Sequence, residues 1–115
     1  MMPSSEPLVS IVCITYQHEV FIRRALDGFL AQRANFPFEV IVHDDASTDG
    51  TADIVRAYAE QHPDVIVPVL QTENQYSKGR KPWSICFPMV RGKYIALCEG
   101  DDHWIDPLKL QKQVD

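Results

Sequence analysis

The stretch LVSIVCITY, residues 8–16, does most to limit what this chain can fold into. Its near-continuous, β-branched order lacks the polar/apolar alternation of a strand with one wet face, so it reads as a strand buried on both faces. Such a strand needs helices above and below its sheet. The rest of the chain supplies them in alternation. HEVFIRRALDGFLAQR carries Ile22, Leu26, Phe29 and Leu30 on one helical face, with Arg23, Arg24 and Asp27 off it. FEVIVHD (38–44) is a second strand, after which Ser47 or Thr48 is placed to cap a helix through ADIVRAYAEQ, ended by His62-Pro63. DVIVPVL (64–70) is a third strand, and Pro68, with no N–H to donate, assigns it to a sheet edge. The polar loop QTENQYSKGRK leads to a short helical stretch around PWSICFPMV, broken by Pro88. KYIALCE (93–99) is the fourth strand, and Asp106-Pro107 reads as an N-cap and first-turn proline opening LKLQKQV.

Strands alternating with helices predict an α/β fold, a Rossmann-like, doubly wound and mostly parallel sheet with right-handed crossovers. Residues 1–7 are expected to be a disordered tail and 8–115 the folded part. In such sheets ligands bind beyond the carboxyl ends of the strands. If strands one, two and four are neighbours, Tyr16, Asp44, Asp45, Asp101 and Asp102 gather on one rim. The final QKQVD stops partway along an amphipathic helix with no glycine cap, which reads as a fragment of a longer enzyme. Strand four would then keep an unpaired apolar edge that invites self-association.

At 115 residues the chain is one domain at most, and 45% apolar with 23% charged residues is ordinary for a soluble globular protein. A net charge of −5 with no Lys/Arg stripe excludes a general nucleic-acid binder. The longest apolar run is too short to cross a bilayer, and MMPSSEP does not read as a signal peptide. Cys13, Cys86 and Cys98 form no CxxC pair; two of them lie inside apolar runs and read as small buried hydrophobes, and a reducing cytosol fits best. The expected location is cytoplasmic, with the full-length protein peripheral at the inner membrane face as the alternative.

Two acidic stretches carry the chemistry. HDDASTDGT (43–51) fails as a calcium loop: with Gly50 at the required sixth position, Arg56 falls where a bidentate Glu is needed. Neither GxxxxGK[ST] nor GxGxxG is present. Two readings stay open, a capped turn and an Asp45 carboxylate that accepts hydrogen bonds from a ligand. EGDDHW crowds Glu99, Asp101 and Asp102, which repel one another unless a counter-charge intervenes. Magnesium or manganese bridging a diphosphate would serve, as would Lys93, Lys109 or hydration alone. His18, His43, His62 and His103 show no metal-ligand spacing, and no Ser/His/Asp or Cys/His arrangement supports a hydrolytic nucleophile. Lys78, Arg80 and Lys81 near Gly79 either contact phosphates or sit in water.

Together these stretches resemble the inverting glycosyltransferases of family 2, which have the GT-A fold. VSIVCITYQ is similar to the family's opening strand and VIVHDDASTDGT to its DD-(G/A/N)-S-x-D-x-T turn. GKYIALCEGDD is similar to the strand entering its DxD element, and W-I-D-P-x-K-L-x-K-Q to the segment that commonly comes after that element. The resemblance implies a nucleotide-diphospho-sugar donor, a glycan or lipid-linked acceptor and a divalent metal, Mn2+ or Mg2+. By position it implies that Thr15 and Tyr16 line the nucleotide pocket and that Asp45 hydrogen-bonds the base, uracil by preference. Asp101 would face the ribose or diphosphate and Asp102 would ligate the metal. Glu99 stands where the family often has Asp; Ile14 replaces the usual proline and Gln17 the usual Asn. The family's catalytic base is a carboxylate expected beyond Asp115. A nucleotidyltransferase, which needs a glycine-rich loop missing from TYQHEVFIRR, and a non-catalytic nucleotide-binding or interaction module are the rival readings.

Overall fold

The structure, a computed structural model, describes residues 6–101 and 109–114. Four strands, β1 (Val9–Thr15), β2 (Phe38–Asp44), β3 (Ile66–Leu70) and β4 (Tyr94–Glu99), form one sheet in the order β3-β2-β1-β4. Every neighbouring pair is parallel. The chain therefore runs outward from β1 through β2 to β3 and then returns to the other side of β1. That reversal, between β1 and β4, is where a doubly wound sheet opens a ligand crevice. β3 is an edge strand, as Pro68 requires, with Pro68 opposite Val42. β4 is the other edge among the described residues, and Tyr94, Ile95 and Leu97 are about half exposed there.

The two-sided burial of β1 has a direct cause. Ile11 and Cys13 face a core built with Val40, Val42 and Ile66 of the sheet, Ile22, Leu26 and Phe29 of α1 (Ile22–Leu30), and Ile54 and Val55 of α2 (Thr51–Gln61). Val12 faces the opposite way and packs with Ile41 and Cys86 of α3 (Pro82–Cys86), flanked by Ile14, Val67, Val69 and Trp83. At about 25 cal/mol per Å² of apolar surface removed from water, these two layers are the main stabilising contribution. All three cysteines are buried and none forms a disulfide, and burial pushes the Cys86 thiol up to about 11. At the amino ends of the strands the buried Glu39 carboxylate accepts from the Ser10 hydroxyl and from Arg91 N and Nε, the two Arg91 contacts each at 3.0 Å. Gly92 N–H donates to the same Ser10 hydroxyl at 2.8 Å, which fixes the entrance of β4 against β1.

Some element limits differ from the sequence reading. α1 starts at Ile22 rather than near His18, because residues 19–21 form a turn closed by Ile22 N–H on the His18 carbonyl at 2.8 Å. Neither Ser47 nor Thr48 caps α2; Gly50 occupies the cap position and both hydroxyls are engaged elsewhere. β3 starts at Ile66 rather than Asp64, and a 3₁₀ turn, Phe87–Met89, continues α3 through Pro88. α4 (Lys109–Val114) falls within LKLQKQV, and Val114 reaches the core on the α1–α2 face. The Asp106-Pro107 cap, Asp102, His103 and most of the expected disordered tail lie outside the described residues. No described helix is long and apolar enough to cross a membrane.

Candidate functional site

Three strand ends build the rim. Asp45 N–H donates to the Thr15 carbonyl at 3.1 Å, and Gly100 N–H to the Ile14 carbonyl at 2.9 Å, so β1 sits between the two acidic stretches. Gly100 has to be glycine for this approach: a Cβ there would lie 2.7 Å from Thr15 Cβ and 2.8 Å from His18 Nδ1. Thr15 Oγ1 and His18 Nδ1 share a 2.9 Å hydrogen bond that turns the loop after β1 across the strand ends. The structure thus brings Thr15, Tyr16, Asp44, Asp45, Glu99 and Asp101 to one side of the sheet.

Most polar groups of HDDASTDGT hold that rim together. Gln17 sits in the left-handed region at φ 58°, strained for a non-glycine residue, and its backbone N–H donates to Ser47 Oγ at 2.9 Å. Its side-chain amide accepts from Thr48 N–H at 2.6 Å and donates to Thr48 Oγ1 at 2.9 Å. His18 N–H reaches Thr51 Oγ1 at 3.0 Å, Glu19 N–H reaches Asp49 Oδ2 at 3.2 Å, and Gly50 N–H returns to Glu19 Oε1 at 2.9 Å. Burial raises the Asp49 carboxyl, but hydrogen bonds from the Thr51 hydroxyl, Thr51 N–H and Glu19 N–H outweigh it and leave the group below its usual range. Asp44 accepts from Ser47 N–H at 3.0 Å and from the Ser47 hydroxyl. The turn reading of Ser47, Asp49 and Gly50 is therefore met by bonds within the stretch, to Asp44 and Thr51, and by bonds to the loop of Gln17 and Glu19, with no side-chain cap on α2. Gln17 escaped the sequence reading as a structural residue, since nothing local shows an amide pairing with a loop thirty residues away.

A cleft of about 560 Å³ opens beside this hydrogen-bonded rim, walled by Ile14 of β1, by Tyr16 just after it, and by Asn74, Tyr76 and Pro82 from the segment before and within α3. Asp45 lies at its edge, 3% exposed. Its Oδ1 accepts from Gln75 N–H at 2.7 Å and its Oδ2 from Tyr76 N–H at 3.1 Å. Asn74 Nδ2 donates to the Asp45 carbonyl at 3.0 Å. A carboxylate offers about four lone-pair sites, so these bonds leave acceptor capacity. His43 lies fully buried one residue before Asp44, with Nε2 3.4 Å from Gln71 Nε2 and no hydrogen-bond partner for Nδ1. Burial pushes the imidazole down further than the Asp45 and Asp44 charges raise it, which keeps the ring neutral near pH 7. Lys78 pairs with Glu73, and the Arg80 guanidinium donates to Gln75 Oε1 at 3.0 Å, so two of the loop's three cations brace the loop itself.

A second cleft of about 470 Å³ is lined by Trp83, Leu97, Cys98, Glu99 and Asp101. Pro82 lines the first cleft and Trp83 the second, so the first turn of α3 divides them. Among the described residues no group of three or more His, Cys, Asp or Glu side chains is placed to hold a metal ion. The two carboxylates here are nevertheless the donor type that magnesium and manganese take, one or two at a time, when a diphosphate supplies further oxygens. Lys93 is removed as their counter-charge: it precedes β4 at the opposite end and lies over the Tyr94 ring at 5.6 Å.

Against known proteins, residues 10–115 match the family model for glycosyl transferase family 2. The chain belongs to that family. It is 51% identical to an uncharacterised protein of Mycobacterium tuberculosis over 106 residues, 92% of this chain and 30% of that protein. It is 30% identical to a UDP-Glc:alpha-D-GlcNAc-diphosphoundecaprenol beta-1,3-glucosyltransferase of Escherichia coli, over 93% of this chain and 40% of that protein. Among solved structures it is similar to a mannosyltransferase of Pyrobaculum calidifontis in complex with GDP-Man and Mn2+, with a TM-score of 0.79 and 30% identity, covering 96% of this chain and 32% of that one. It is also similar to S. aureus TarS in complex with UDP-GlcNAc, with a TM-score of 0.76 and 29% identity, covering 92% and 30%. The α/β fold of the GT-A glycosyltransferases is thus established, and the chain spans roughly a third of the length of these proteins.

Proposed function

We propose that this chain is the donor-binding part of a glycosyltransferase that moves a sugar from a nucleotide-diphospho-sugar, a UDP-sugar by preference, to an acceptor hydroxyl with inversion. The observation that carries the reading is the pair of adjoining clefts at the carboxyl ends of β1, β2 and β4, one apolar with Asp45 at its edge and one lined by Glu99 and Asp101. A planar base suits the first cleft, where the remaining lone pairs of Asp45 accept from its N–H groups and Tyr16 supports it; Thr15, expected to line the pocket, is fully buried and positions the loop through His18 instead. Asp101 faces the ribose or diphosphate, and Asp102 with its neighbours holds Mn2+ or Mg2+. When bound, that ion stabilises the negative charge developing on the leaving nucleoside diphosphate. Deprotonation of the acceptor hydroxyl on a glycan or lipid-linked carrier is assigned to a carboxylate beyond Asp115. The bound GDP-Man and UDP-GlcNAc of the similar structures support the donor class and differ in the base.

Calorimetric titration of UDP and GDP into the chain, with and without Mn2+, tests this reading. The expected result is Mn2+-dependent binding that favours UDP and loses its metal dependence in Asp102→Ala. Equal affinity with and without the metal would remove the metal assignment. A folded chain that binds neither nucleotide would overturn the donor-site reading.

A further inference from the structure

Resting on that donor-site reading, we infer that Tyr76 is a second aromatic wall of the cleft and stacks on the nucleobase opposite Tyr16. Tyr76 is 71% exposed, an unfavourable place for a large ring, yet hydrogen bonds hold the backbone that carries it. Its N–H is held by Asp45 Oδ2 at 3.1 Å, and that of Gln75, itself 7% exposed, by Asp45 Oδ1 at 2.7 Å. Ser77 N–H and Oγ close on Asn74 at 2.8 and 3.0 Å, while Arg80 N–H closes on the Gln75 carbonyl at 3.0 Å. Gly79 ends the turn at φ +83°, a conformation glycine adopts without penalty. These bonds hold the backbone that carries the ring in one place, beside the cleft.

That place is the cleft that Tyr16, 46% exposed, lines from the other strand end. Ile14 and Pro82 complete apolar walls, and Asp45 supplies an acceptor at the edge. Two aromatic rings, apolar flanks and one hydrogen-bonding edge are what a flat heterocycle requires. A sugar, with polar groups around its whole circumference, is served better by the acidic cleft across Pro82–Trp83. Aromatic stacking on a base is worth roughly tenfold to hundredfold in affinity on alanine substitution.

The test titrates UDP and, separately, inorganic pyrophosphate into the full chain in Mn2+, comparing the unaltered protein with Tyr76→Phe and Tyr76→Ala. Tyr76→Ala is expected to weaken UDP by tenfold or more and leave pyrophosphate unchanged, while Tyr76→Phe keeps UDP affinity within about twofold, because stacking needs the ring and not the hydroxyl. Unchanged UDP affinity in Tyr76→Ala overturns the inference and leaves the donor site standing. An equal loss for both ligands also overturns it, since the loop would then act only as scaffold. If the unaltered chain binds neither ligand, the donor-site reading falls and this inference with it.

Discussion

Buried carboxylates stand at both ends of the sheet, and Glu39 and Asp45 are handled in opposite ways. At the amino end Glu39, 2% exposed, is met by a hydroxyl, a backbone N–H and the Arg91 guanidinium. Burial pushes its carboxyl up, but the hydrogen bonds from Ser10 and Arg91 and the Arg91 charge hold it below its usual range. Gly92 seals this end, since a Cβ there would fall 2.6 Å from Ser10 N. At the carboxyl end Asp45, 3% exposed, receives two backbone N–H groups and, among the described residues, no ion pair. One carboxylate is closed off by a cation; the other borders a cleft with acceptor capacity to spare. A buried acid is therefore no sign of a site by itself. Its partners and the space beside it decide.

The sharpest way to break this comparison is to remove the closed carboxylate. Glu39→Ala leaves the buried Ser10 hydroxyl without its acceptor and opens a cavity, while Arg91, 60% exposed, is rehydrated; a loss of about 2 kcal/mol is expected in urea unfolding, with UDP affinity unchanged in the protein that remains folded. A loss of nucleotide binding out of proportion to the unfolded fraction would show that the two ends are coupled.

A smaller effect comes from His43, beneath the open end. Its folded-state pKa is depressed, so the unfolded chain takes up more protons as pH falls below 6.5, and this share of stability, fully present above that pH, is lost on acidification. The unfolding midpoint is expected to fall between pH 7 and pH 5, and His43→Leu should flatten that slope. Glu39 acts in the same direction only at lower pH, because its depressed carboxyl contributes stability above about 4.5 that is lost as pH falls through its folded value.

The smallest effect is expected at the exposed pair of Arg56 and Asp53, 2.7 Å apart at 53% and 85% side-chain exposure. Despite its shorter distance than the Glu39–Arg91 contact, Arg56→Ala should cost under about 0.5 kcal/mol, because water screens the pair. A larger loss in thermal unfolding would mean that proximity rather than burial sets the strength of these contacts.

Much of the architecture was legible in the chain's own order of residues. The β-branched runs at 8–16 and 38–44 stood out because both faces of a parallel strand must be apolar, and Pro68 marked an edge because it lacks a donor. The paired aspartates, Glu99 and Asp101 were legible as a rim, because strand ends in such sheets converge. The roles within the rim were not. Ser47, Thr48 and Asp49 look like capping residues from any local window, and only the fold brings Gln17 and Glu19 against them. Ser10, Glu39 and Arg91 meet across 29 and 52 positions of chain, and no periodicity links them.

By itself the sequence determined the order of elements, the parallel sheet, the acidic rim and the family, since these rest on side-chain volume, polarity and local backbone preference. Only the tertiary structure decided which acid is closed by a cation, which borders a cleft, and that the loop before α3 holds Tyr76 open beside Tyr16. Those outcomes depend on groups distant in the chain meeting within hydrogen-bond reach, a property of the packed sheet and not of any one segment.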